Sequence, residues 1–148
     1  MKPHSDFEEL LRLLKDRNAD FLIVGGYAVA FHGYPRFTKD LDILYLNSTV
    51  NIQRVQDAIV EFGFQRSEIP LDALRKKGNV LTFGVEPLRV DLMNEMDGVS
   101  YKEAACESVR GHYGTIEVSF IGKNALIKNK KATPRLRDKG DAEELEKL

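Results

Sequence analysis

The chain has 148 residues, 43% of them hydrophobic and 30% charged, and a formal net charge of -1. That is enough chain for one domain with its own hydrophobic core, and the near-neutral balance argues against a general nucleic-acid coat protein while leaving room for a local basic patch. A single cysteine, Cys106, excludes an intramolecular disulfide framework and a Cys-rich zinc site and fits a reducing compartment.

The N-terminal stretch MKPHSDFEELLRLLKD has no apolar signal-peptide core. Ser5, with Glu8 three residues on, reads as a capping box ahead of Phe7, Leu10, Leu11 and Leu14 at helical spacing, so a first helix is expected over residues 5–17. DFLIVGG is a short apolar strand that stops at Gly25-Gly26, and YAVAFHG is a short helix closed by Gly33. The whole apolar window FLIVGGYAVAF is too short to span a bilayer, and a cytoplasmic location is expected. DLDILYL is the second strand. TVNIQRVQDAIVEFGF carries Ile52, Val55, Ile59 and Phe62 on one face and ends at Gly63, which predicts a helix.

NVLTFGV and LRVDLMN predict a hairpin turning at Glu86-Pro87. YKEAACESVR predicts a short helix, in which Cys106 is expected to be a small buried hydrophobe, and GTIEVSFI a strand. KNALIKNKK and DKGDAEELEKL predict two closing helices on either side of ATPRLR, within a basic and then acidic segment at 123–148. The expected fold class is α/β: one domain over 1–148, with a mixed sheet flanked by helices. His32 is expected to pack or cap a helix end, His4 and His112 to lie in a tail and a loop, and the absence of any Cys/His cluster speaks against zinc.

The chemistry begins in RFTKDLDILY. Strands alternate faces, so Asp40 and Asp42 share one side while Leu41 and Ile43 take the other. Two like charges on a half-buried face repel and lose hydration, and a cation would resolve the conflict. Asp91, in PLRVDLMN, shares a face with Arg89 and Met93 and can join the pair if its strand lies alongside. Three such carboxylates can hold Mg²⁺, and two ions about 3.5–4 Å apart clamp an in-line phosphoryl displacement. An isolated D-x-D also occurs in glycosyltransferases and calcium loops. Here it follows a strand–Gly25-Gly26–helix turn, where glycine lets backbone amides approach an anion closely.

With these residues together, GGYAVAFHGYPRFTKDLDI resembles the signature of the nucleotidyltransferase superfamily that includes DNA polymerase beta, most nearly its small bacterial branch related to AbiE-type toxins. LIKNKKATPRLRDKGDAEEL is similar to the closing segment of that branch, matching at Lys130, Arg135, Asp138 and Asp141. Many members carry Ser after the first glycine; this chain carries Gly26. The resemblance implies a nucleotidyltransferase fold and metal-dependent transfer of a nucleoside monophosphate from a nucleoside triphosphate to an acceptor hydroxyl of RNA, a protein or a small molecule. It implies Asp40, Asp42 and Asp91 as catalytic and metal-binding residues, two Mg²⁺ ions with Mn²⁺ as the substitute, and Gly25 and Gly26 on the β- and γ-phosphates. It also implies a toxin-like role with a cognate antitoxin as partner. The alternative is a non-catalytic nucleotide- or partner-binding module that keeps the fold.

Arg36 and Lys39 flank the Asp pair and are assigned to the nucleotide site, Arg36 either on phosphate or bracing Asp42. Lys130 is assigned to the triphosphate, from a stretch with seven Lys/Arg between Lys123 and Lys139; the rest of that run reads as a solvated face or an RNA-attracting patch. Asp138 and Asp141 are expected to favour the last helix's N-terminus or to pair with Arg135 and Arg137.

Overall fold

In the computed structural model, residues 3–35, 37–85 and 88–148 are described, the side chains of Val85 and Leu88 excepted. The chain runs α1 (Ser5–Asp16), β1 (Phe21–Val24), α2 (Gly25–Phe31), β2 (Asp40–Tyr45), α3 (Thr49–Phe62), a 3₁₀ turn (Arg66–Glu68), α4 (Leu71–Arg75), β3 (Val80–Val85), β4 (Leu88–Met93), α5 (Tyr101–Cys106), β5 (Val109–Tyr113), β6 (Ile116–Phe120), α6 (Lys123–Ala132) and α7 (Leu136–Glu146). The strands form one mixed six-stranded sheet in the order β3-β4-β2-β1-β6-β5. β2 pairs parallel with β4 and antiparallel with β1, and β1 pairs parallel with β6.

Burial explains which strands stand in the middle. FLIV of β1 is buried at every position, as a strand flanked on both sides requires. β2 begins with the alternation of a half-buried strand, Asp40 and Asp42 partly exposed and Leu41 and Ile43 buried, and becomes wholly buried from Ile43 onward. The carboxylates therefore sit at one end of a strand whose other end is core. α1 buries Phe7, Leu10, Leu11, Leu13 and Leu14 and packs on α3, which buries Ile52, Val55, Ala58 and Ile59. Gly63, at φ 137, ends α3 as the spacing predicts. Among the described residues no helix is long and apolar enough to cross a membrane.

Several expectations are corrected. No capping box forms at α1, whose N-cap is His4; the Glu8 carboxylate instead accepts from the Thr115 amide at 2.8 Å and ties α1 to the β5–β6 turn. β5 has little apolar patterning because it is an edge strand that buries only Tyr113, and it puts His112 in a strand rather than a loop. The short helices within 66–75 rest on the buried Ile69 and Leu74. Cys106 ends α5 exposed rather than buried, since only Ala104 of that helix reaches the core. The Glu86-Pro87 turn lies outside the described residues, but the antiparallel β3–β4 pairing around it is present.

Asn51 fixes where β2 leaves the sheet. Its buried amide accepts from Asp20 N at 2.6 Å and donates to Asp20 O at 3.0 Å and Leu46 O at 2.8 Å, holding the entry to β1 and the exit of β2 against α3. Asn51→Ala strands buried backbone groups and is expected to cost about 2–3 kcal/mol, measured by urea unfolding at unchanged native circular dichroism.

Candidate active site

β1 ends in Val24, which pairs with Asp42 on β2, and on the other side of β2 the parallel register sets Asp42 opposite Asp91 and Asp40 opposite Arg89. Partners at the same level of adjacent strands project to the same face, so the alternation read in each strand delivers three carboxylates and one guanidinium to one patch. Arg89 Nη2 lies 2.9 Å from Asp40 Oδ2 and 3.5 Å from Asp91 Oδ2. Thr82, opposite Asp91 on β3, donates its hydroxyl to Asp91 Oδ1 at 2.7 Å. Asp40 Oδ1 is buried without a hydrogen-bond partner among the described residues.

Gly25 and Gly26 open α2 directly above this patch. Gly25 holds φ at +67, and a Cβ there would overlap the Asp42 carboxyl; a Cβ on Gly26 would come within 2.7 Å of Thr38 Oγ1. Both glycines are thus required by the close approach of the turn to the β2 strand and the loop before it. Thr38 in turn donates to Asp40 O at 3.3 Å.

The remaining wall is the α6–α7 corner. Lys130 of α6 is buried, its Nζ 2.8 Å from Asp138 Oδ1 and 3.2 Å from Asp141 Oδ2. Thr133 Oγ1 donates to Asp138 Oδ2 at 2.8 Å, and Arg135 Nε reaches the same oxygen at 2.9 Å. Asp138 stands in the first turn of α7, as expected, and pairs with Arg135; together with Asp141, which lies beyond that turn, it also holds Lys130, a partner the expectation did not name. Lys130 is close enough to Asp42 to favour its charged form.

These walls enclose a cavity of about 540 Å³ lined by Gly25, Gly26, the three aspartates, Arg89, Lys130, Arg135 and Arg137, among others. A second cavity of about 540 Å³ lies among Tyr27, Phe31, Tyr113 and Phe120 and has no carboxylate in its lining. Lys39 is exposed and does not line the acidic cavity, and Arg36 lies outside the described residues. His32 caps α2, its Nε2 2.6 Å from Ile121 O, a packing role. Arg89 and Thr82 are site residues to which sequence reading assigns no role, whereas Thr38 matches a recurrent position of the resembled family; alternation placed Arg89 beside Asp91, but only the β2–β4 register brings it to Asp40.

The electrostatics are those of an undercompensated anionic cluster. Burial pushes the Asp42 carboxyl up to about 7, and the carboxylates of Asp91 and Asp40 add to the shift, with Lys130 opposing it. Three carboxylates with an unpartnered buried oxygen fit a hard divalent cation. Among the described residues no three His, Cys, Asp or Glu side chains stand as a ready-made cage, consistent with Asp40 being drawn to Arg89.

No family model and no curated protein matches the sequence. Solved structures do. The solution structure of the antibiotic-resistance factor ANT(2'')-Ia superposes with a TM-score of 0.59 at 13% identity, covering 95% of this chain and 80% of that one. A putative nucleotidyltransferase from Thermotoga maritima gives 0.59 at 15% identity, with 95% and 88% covered. The lincomycin-bound lincosamide antibiotic adenylyltransferase LnuA gives 0.56 at 14% identity, with 98% and 97% covered. The fold is the α/β nucleotidyltransferase fold, as expected.

The raised Asp42 pKa has a definite sign for stability. The native state binds the Asp42 proton more tightly than the unfolded chain, so without metal the contribution is intact below about pH 4 and is lost as pH climbs toward about 7. In EDTA, melting temperature is expected to fall across that window in wild type and to stay flatter in Asp42→Asn, followed by thermal unfolding at a series of pH values.

Proposed function

We propose that this chain is a metal-dependent nucleotidyltransferase, which transfers a nucleoside monophosphate from a nucleoside triphosphate to an acceptor hydroxyl and releases pyrophosphate. The observation that carries the reading is the parallel register that seats Asp42 against Asp91, beside a glycine turn too close to admit a side chain. The solved neighbours at low identity support the fold, and two of them are named as an antibiotic-resistance factor and an antibiotic adenylyltransferase.

In this reading Asp40, Asp42 and Asp91 hold Mg²⁺, or Mn²⁺ in its place. When bound, the metal supplies neutralisation of the phosphate charge and alignment for in-line displacement. The chain's own residues do the rest. Backbone amides of Gly25 and Gly26 take the β- and γ-phosphates. Asp91 has Oδ1 engaged by Thr82 and Oδ2 held only by the long 3.5 Å contact to Arg89, so Oδ2 is the oxygen that accepts the proton of the attacking hydroxyl once Arg89 gives way. Lys130 keeps positive charge in the wall, while the exposed Arg135 and Arg137, with Lys39 outside, draw the triphosphate to the mouth. Positioning and charge neutralisation then account for the catalysis.

The names of the neighbours make a small hydroxylated molecule the first acceptor class to test, ahead of an RNA end or a protein hydroxyl. A toxin-like role with an antitoxin partner rests on the resemblance of the C-terminal segment alone. Calorimetric titration with each of the four ribonucleoside triphosphates, in Mg²⁺ and in EDTA, tests the site without knowledge of the acceptor. Binding that requires Mg²⁺ and weakens at least about tenfold in a folded Asp42→Asn variant is the expected result. A folded wild-type protein that binds none of the four overturns the reading.

A further inference from the structure

Arg89 has no part in the chemistry above, yet it occupies the middle of the site. It stands opposite Asp40 in the β2–β4 register and two residues before Asp91 on β4. One nitrogen, Nη2, serves both carboxylates, at 2.9 Å to Asp40 and 3.5 Å to Asp91. The Arg89 side chain is 40% exposed, so its guanidinium ends a long arm at a cavity wall and is not sealed in the core. Its hold on the cluster is partial, since Asp40 Oδ1 stays buried without a hydrogen bond and three carboxylates face one guanidinium.

A divalent cation seeks the same oxygens with twice the charge and a strong preference for carboxylate. Metal and guanidinium therefore compete for Asp40 and Asp91. A guanidinium displaced from a carboxylate next to a phosphate-binding cavity has an obvious second partner, because its planar fork matches phosphate as well as carboxylate. We infer that Arg89 is an exchangeable counter-ion: it neutralises Asp40 and Asp91 in the metal-free chain, yields them to a divalent cation, and turns to a phosphate of the incoming triphosphate. The inference rests on the reading of this cavity as a metal–nucleotide site. It makes nucleotide and metal mutually reinforcing, since the metal gives Asp40 and Asp91 a better partner and the phosphate gives Arg89 one.

A mere structural brace would behave differently, because removing it would loosen the carboxylates and weaken metal binding. Exchange predicts opposite signs for the two ligands. Free Mn²⁺ followed by electron paramagnetic resonance reads the metal, and calorimetry with inorganic tripolyphosphate in saturating Mg²⁺ reads the phosphate contact without involving a base. Arg89→Met is expected to bind Mn²⁺ about threefold to tenfold more tightly than wild type, with the competing cation gone. The same variant is expected to bind tripolyphosphate about tenfold more weakly. Arg89→Gln, which keeps a polar side chain and removes the charge, should show the same two signs and serves if the methionine variant does not fold. Mn²⁺ affinity equal to or below wild type in the folded variants overturns the exchange, as does unchanged tripolyphosphate binding. A wild-type protein that binds no Mn²⁺ overturns the metal-site reading, and the inference with it.

Discussion

The parallel pairing of β2 with β4 brings Asp42 face to face with Asp91, and much of the site can be understood as a response to that contact. Carboxylates at the same level of adjacent strands repel, and a sheet would ordinarily avoid the arrangement. Here each acid is given a different form of relief. Asp40 leans on Arg89, Asp91 accepts from Thr82, and Asp42 is eased by the field of Lys130 across the cavity. None of these is complete, and burial together with the nearby carboxylates of Asp91 and Asp40 makes Asp42 favour its proton up to about pH 7. A fold that keeps three acids together and undercompensated gives up stability at this spot, and the register leaves little freedom to relax it: slipping β4 by one residue would turn Asp91 toward the core face.

The α6–α7 corner applies the same electrostatic logic to packing. The buried residues of α7 are Asp138, Asp141, Ala142 and Leu145, so half of what the helix presents inward is charged. It docks on α6 through Lys130 as much as through apolar contact. Buried ion pairs seldom add much net stability, because desolvation offsets attraction, but they are unforgiving of misplacement: removing one partner leaves an uncompensated charge. That selects for position over strength. An amphipathic helix held only by leucines could rotate or slide by a fraction of a turn at small cost. One held by a lysine shared between two aspartates cannot, and the Lys130 ammonium is thereby fixed with respect to the acids of the sheet.

Much of this was legible in the sequence for local reasons. The alternation in DLDILY and LRVDLM reports face, and face is what gathers Asp40, Asp42 and Asp91; the glycine pair reports a turn with unusual backbone demands. Apolar spacing gave α1 and α3 because both bury a continuous stripe. The failures share one cause, which is that the deciding partner lies on another element. Glu8 has the spacing of a capping box but bonds with Thr115, more than a hundred residues away. β5 is a strand because it has β6 to pair with, not because its own residues insist on it. Asp138 does sit in the first turn of α7, but that Lys130 is shared between it and Asp141 shows only when α6 is folded against α7.

Gly25 shows how one sequence feature can answer to two causes. From sequence, glycine at the end of β1 serves an anion that needs to come close to backbone amides. In the folded chain the space a Cβ would take is already filled by the Asp42 carboxyl, and φ lies in the left-handed region. The two demands reinforce each other. If the amides of the turn are to face phosphates carried by a metal on Asp42, then turn and carboxylate must be near neighbours, and nearness removes the room for a side chain. A glycine required by packing against the Asp42 carboxyl and a glycine required by phosphate approach are then consequences of the same short distance.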